Sequence, residues 1–264
     1  MLPPLYEFTP GDSALLISMP HSGTYLPPDL AARMSAAARD VADTDWFIPE
    51  LYAFAGELGA SVIRATHSRY VVDLNRPPDG TPLYPGRRET GVCPLETFDG
   101  ECLYASGDEP SQQQITARLQ RYWWPYHDRL ATLIAERVER HGHCLLWDAH
   151  SIHSSVPGLF DGRLPDLNLG TADGRSCSAA RQARLSDALA TRQKQFSFVV
   201  NGRFKGGYIT RHYGEPDAGV EAVQLEIAQA AYLVEARQPR YEPARARPLQ
   251  FVLRALLSQF HHGA

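Results

Sequence analysis

At 264 residues, 44% of them hydrophobic, the chain is long enough to remove roughly 70 to 75% of its unfolded surface from water, and one domain spanning 1–264 is expected. A formal charge of −4 and a pI near 6.2 exclude a broad electrostatic attraction to nucleic acid or an acidic membrane. Cys93, Cys102, Cys144 and Cys177 form no C-x-x-C pair, no 18-residue apolar run occurs, and MLPPLYEFTPGDSALL lacks the layout of a signal peptide, so a soluble cytoplasmic protein is expected.

Residues 14–19, ALLISM, read as a strand ended by Pro20, with polar PHSGTY at its carboxyl end and a short helix near 28–37. Between 44 and 58, Trp46, Leu51, Phe54 and Leu58 recur with helical spacing, Asp43 or Thr44 can cap the start, and Pro49 fits only within the first turn. SVIRAT at 61–66 and RYVVDL at 69–74 predict two further strands, followed by a Pro/Gly-rich loop. A long helix is expected over 111–141, kinked or divided at Pro125. LLWDAHSIHSS starts as a covered strand at Cys144–Trp147 and turns polar. A Gly/Pro/Asp-rich loop, a helix at 178–193, strands at 196–201 and 220–228 separated by a basic glycine-rich loop, and a terminal helix at 247–261 complete the chain. Alternating strands and helices argue for a sheet covered by helices on both faces.

Three strand ends carry polar groups: His21 after ALLISMP, His150 after LLWDA, and Glu226 inside VQLEIA. In open α/β sheets ligands bind outside the carboxyl ends of the strands, and an acidic residue on a covered strand is costly unless it is paired, protonated or metal-bound. Catalytic zinc needs about three N or O protein ligands and an open position. Two histidines and one carboxylate meet that need, with Asp45 or Asp43 supplying the last, although simple N-capping also explains the DTD stretch. No H-E-x-x-H, G-x-S-x-G, G-x-G-x-x-G or Walker A pattern occurs. Arg203, Lys205, Arg211 and His212 cluster between two strands, and with Arg76 they suit a clamp for a small acid.

MPHSGTYLP, DTDWFIPELY, SRYVVDLNRP, DAHSIHSSVPGLFDGRLPDLNLGT, NGRFKGGYITRHYG and VQLEIAQAAYL together resemble the N-formylglutamate amidohydrolase family, from about residue 5 to 235. The resemblance implies a three-layer α/β/α sandwich around a mixed, mostly parallel sheet, similar to zinc exopeptidases and zinc N-acetylmuramoyl amidases. It implies Zn2+, or another divalent transition metal, held by His21, Asp45 and His150, with Asp43 the alternative to Asp45. Glu226 is the implied general base, and an implied small acidic N-acyl amino acid substrate gives the clamp read from the residues, Arg76, Arg203, Lys205 and Arg211, carboxylates to hold. The mechanism expected on that basis makes His212 or Arg211 a donor to the tetrahedral intermediate. The implied reaction splits N-formyl-L-glutamate into formate and L-glutamate, as in histidine degradation. The rival expectations are action on another N-acyl amino acid or cell-wall amide, and a non-catalytic module that binds an acidic metabolite.

Overall fold

The computed structural model describes residues 2–261. Its strands are β1 (Tyr6–Thr9), β2 (Leu15–Met19), β3 (Ser61–Ala65), β4 (Cys144–Ile152), β5 (Leu167–Gly170), β6 (Phe198–Val200), β7 (Val220–Ala228), β8 (Leu233–Val234) and β9 (Arg240–Tyr241). Its helices are α1 (Pro28–Ala31), α2 (Ala36–Arg39), α3 (Ile48–Leu51), α4 (Gln112–Arg118), α5 (Trp124–His141), α6 (Ala179–Ala190), α7 (Tyr208–Tyr213) and α8 (Pro243–His261).

One seven-stranded sheet runs in the order β1-β3-β2-β4-β7-β5-β6. β2 is parallel to β3 and β4, β4 to β7 and β5 to β6, whereas β1 lies antiparallel to β3 and β5 to β7. Leu15, Ile17, Leu145, Trp147, Val223 and Leu225 pack on one face with Leu185 of α6 and Leu253 and Leu257 of α8. Leu16, Leu146 and Ala222 pack on the other with Tyr126, Leu130 and Leu133 of α5. The mixed, mostly parallel sheet between two helical layers is the expected α/β/α sandwich. Its central strands are apolar throughout much of their length because helices cover both faces.

Several local expectations are revised. Residues 69–74 form a turn, not a strand, because Arg69 Nη2 reaches forward four residues to donate to Asp73 Oδ2 at 2.6 Å, a contact that an extended chain cannot make. The stretch 44–58 is not one helix: Phe47 has φ 59°, α3 occupies only Ile48–Leu51 with Pro49 in its first turn, and a 3-10 turn covers Ala55–Leu58. A bulky residue in the left-handed region is strained, and here it lies two residues beyond Asp45.

The 111–141 helix is continuous but absorbs Pro125 by passing through a π-helical segment, Leu119–Trp123, just before it. β1, β5 and α7 escaped detection in the sequence, being short and, for the latter two, set among glycines and prolines. α8 starts at Pro243, four residues earlier than expected, with Pro248 inside it.

Candidate active site

β4 does not stop at Trp147 but pairs with β7 as far as Ile152, setting His150 opposite Glu226 and Asp148 opposite Gln224. Ser18 of β2 lies opposite Asp148, and Asn168 of β5 opposite Glu226. Because side chains alternate along a strand, these polar residues share the face that carries Leu16, Leu146 and Ala222 further down. This face of β2, β4 and β7 is therefore apolar near the amino ends of the strands and polar near their carboxyl ends.

His21 follows β2 by two residues, and the Asp45 backbone N–H donates to its carbonyl at 3.0 Å, drawing the loop before α3 onto that strand end. His21, Asp45 and His150 are all buried, and each offers one ligand atom within 4.8 Å of the others. Asp45 Oδ2 lies 2.9 Å from His150 Nδ1 and 3.8 Å from His21 Nδ1. His21 Nδ1 is buried without any hydrogen-bond partner, as suits a nitrogen facing an ion. Two imidazole nitrogens and a carboxylate oxygen are a donor set for a divalent transition metal. Asp43 turns elsewhere: its Oδ2 accepts the Phe98 N–H at 2.9 Å, and burial lifts its carboxyl to about 6.

The nitrogens that face away from this group bind carboxylates. His21 Nε2 lies 2.8 Å from Asp73 Oδ1, and His150 Nε2 lies 2.9 Å from Asp148 Oδ2. Burial, reinforced by the Arg69 charge, lowers the His21 pKa against the pull of Asp73. Burial also opposes the charge on His150, but Asp148 and Asp45 outweigh it and hold that imidazole well above its ordinary value. Burial would raise Asp73, yet Arg69 and His21 keep its carboxyl well below the usual range. Glu226 is pushed up to about 7 by burial, with His150 acting in the opposite sense, and its Oε2 accepts from Gln224 Nε2 at 3.1 Å.

A cavity of about 580 Å³, solvent at its mouth included, opens over His21, His150 and Glu226. Arg69, Arg76, Arg88 and Arg203 all line it. Arg69 is neutralised by Asp73, and Arg88 by Glu96. Among the described residues neither Arg76 nor Arg203 forms an ion pair. Arg76 Nε donates to the Thr90 carbonyl, and Arg203, flanked by the Tyr84 and Phe204 rings at 5.3 Å each, keeps a buried Nη1 without a partner. A larger neighbouring cavity, about 1240 Å³, shares Phe98, Ser151 and Ile152 but contains none of His21, His150 and Glu226, which the smaller one reaches.

The rest of the expected basic clamp does not reach this cavity. Lys205 Nζ pairs with Asp173 at 2.9 Å. The six-residue α7 turns Arg211 back so that its Nε donates to the Gly206 carbonyl and its guanidinium covers Tyr84. His212 stacks on Tyr208 at 4.7 Å and meets Tyr213 edge-on, away from Glu226. Arg69, Asp73, Asn75 and Gln224 are the residues that sequence reasoning missed. The i,i+4 opposite charges of Arg69 and Asp73 were the available signal.

The fold and site together define a three-layer α/β/α protein with a buried His/Asp/His group beneath an arginine-lined cavity. A family model described as N-formylglutamate amidohydrolase matches residues 13–233, and the chain belongs to that family. It is 51% identical over 251 residues to the N-formylglutamate deformylase of Pseudomonas aeruginosa, covering 95% of this chain and 94% of the relative. It is 48% identical to the Pseudomonas putida N-formylglutamate deformylase, over 95% of this chain and 93% of that one. The fold is shared with the crystal structure of N-formylglutamate amidohydrolase from Ralstonia eutropha, at TM-score 0.79 and 24% identity, over 96% of this chain and 97% of that one.

Proposed function

We propose that this protein hydrolyses N-formyl-L-glutamate to formate and L-glutamate, with His21, Asp45 and His150 holding zinc and Glu226 acting as general base. The family and the two deformylases it resembles along nearly their whole length supply the reaction. The observation that carries the reading is the convergence, at one cavity, of the two histidines of the His/Asp/His group, the buried Glu226 carboxyl and two arginines without carboxylate partners. A zinc ion in that group would supply Lewis acidity, acidifying water and polarising the formyl carbonyl.

The chain's own residues do the rest. Glu226 sits level with His150 in the sheet register, where it takes a proton from the attacking water and returns it to the departing amine. A carboxyl lifted to about 7 can do both near neutral pH. Gln224 holds one oxygen of Glu226, leaving the other for the water. Arg76 and Arg203 bind the two carboxylates of the substrate, since a guanidinium that has only backbone and hydroxyl oxygens as internal partners gains most from an anion. Arg69, in the wall of the same cavity, takes the role expected of Arg211 or His212 as donor to the developing oxyanion. Formate and glutamate release from N-formyl-L-glutamate, set beside formate release from N-formyl-L-leucine, which keeps the α-carboxylate and lacks the side-chain one, tests the reading; equal rates on both would remove the guanidinium given to the side-chain carboxylate.

A further inference from the structure

A buried imidazole can present either nitrogen to an ion, and the proton on the other selects between them. His21 and His150 make the same choice. Each turns Nδ1 toward Asp45 and gives Nε2 to a carboxylate, Asp73 at 2.8 Å and Asp148 at 2.9 Å. One residue joins the two carboxylates: the Asn75 backbone N–H donates to Asp73 Oδ1 at 2.9 Å, and its side-chain Nδ2 donates to Asp148 Oδ2 at 3.1 Å, lying 3.0 Å from the His150 Nε2 that meets the same oxygen. Asn75 Oδ1 accepts the Ile209 N–H at 2.8 Å, so the amide cannot be flipped without losing both bonds. It also packs closely against the backbone of Gly207, where an added Cβ would lie 2.4 Å from its nitrogen. Arg69 meanwhile donates to the second oxygen of Asp73.

We infer that Asp73 and Asp148 are positioning residues that select Nδ1 as the coordinating nitrogen of His21 and His150, and that Asn75 locks the two carboxylate–imidazole pairs together. The inference rests on reading His21, Asp45 and His150 as metal ligands. Carboxylates on the far nitrogen of a ligating histidine fix its tautomer and raise its basicity, and their removal typically costs about 10- to 100-fold in metal affinity. The stretch Asp73–Arg76 thus ties the metal group to the substrate-facing guanidinium of Arg76 next in the chain.

The test is zinc affinity, measured by competition with a chromogenic chelator on the full-length, metal-stripped protein. Wild type should bind one equivalent and His21→Ala should not; a wild type that takes up no zinc overturns the ligand reading itself. Given zinc binding by wild type, Asp73→Asn, Asp148→Asn and Asn75→Ala should each weaken it by about 10- to 100-fold. Asp73→Asn leaves Arg69 unpaired and can lose affinity through unfolding, so the other two variants decide. Affinities for Asp148→Asn and Asn75→Ala within twofold of wild type would overturn the positioning role alone. A second measurement needs neither metal nor variant: nitrogen NMR of histidine-labelled, metal-free protein should show the His21 proton on Nε2, and a proton on Nδ1 would contradict the inference.

Discussion

The two faces of β4 and β7 make opposite use of the same burial. On one, Leu145, Trp147 and Ala149 lie beside Val223, Leu225 and Ile227 in an apolar cluster that continues into α6 and α8. On the other, Asp148 and His150 lie beside Gln224 and Glu226, all buried as well. The apolar face gains stability in proportion to area removed from water and tolerates exchange among residues of similar volume. The polar face gains little net stability, since desolvation offsets much of each ion pair, and every group depends on a particular partner. Burial on the first face makes a core; on the second it lifts the Glu226 carboxyl to about 7, while Asp148 and Asp45 hold His150 above its ordinary value against it.

If that division is right, substitutions on the two faces should fail in different ways. His150→Ala should abolish metal retention and activity together, because a three-ligand site reduced to two does not hold the ion; metal content and turnover measured on the same sample check this. Glu226→Gln should keep metal and melting temperature while kcat falls by roughly 10² to 10⁴. A folded, metal-loaded variant with full kcat would remove Glu226 from the chemistry. Arg203→Met should lower kcat/KM for N-formyl-L-glutamate by about 10- to 100-fold, the worth of a charge-assisted hydrogen bond, and a kcat/KM within twofold of wild type would remove it from the clamp. Leu225→Ala, from the apolar face, should cost about 2 to 5 kcal/mol of stability with kcat per folded molecule unchanged, as read by denaturant melts and active-site-normalised rates.

A smaller effect concerns His127, which donates through Nε2 to the Leu74 carbonyl at 2.8 Å and lies between the rings of Trp123 and Tyr213. Burial lowers its pKa from 6.5 to about 3. Between those values the unfolded chain binds a proton that the folded one refuses, so the stability is whole above about 6.5 and declines as pH falls toward 3. Melting curves across that window should show a shallower decline in His127→Phe than in wild type.

The groups readable from sequence were those that interrupt an apolar run. His21, His150 and Glu226 stand out because a covered strand has no ordinary use for them, and the layered fold follows from the spacing of those same runs. RYVVDL concealed Arg69 and Asp73 because its β-branched residues favour a strand, whereas the buried pairing of its two charges and the Asp73 contact to His21 require a turn. Lys205, Arg211 and His212 were misplaced for the converse reason. Basic residues in a glycine-rich segment suggest a clamp, but Lys205 pairs with Asp173 ahead of α7, and α7 turns Arg211 to Gly206 and His212 to Tyr208. Local composition shows which groups are present; the partners that orient them come from residues distant in the chain.

We propose that the polar face is a metal-dependent deformylase site. Its most direct test is N-formyl-L-glutamate turnover by purified protein of known metal content, before chelation, after it, and after return of one equivalent of zinc. Bound metal near one equivalent, loss of formate release on chelation and recovery on zinc addition are predicted. Full turnover by protein stripped of metal would contradict the account.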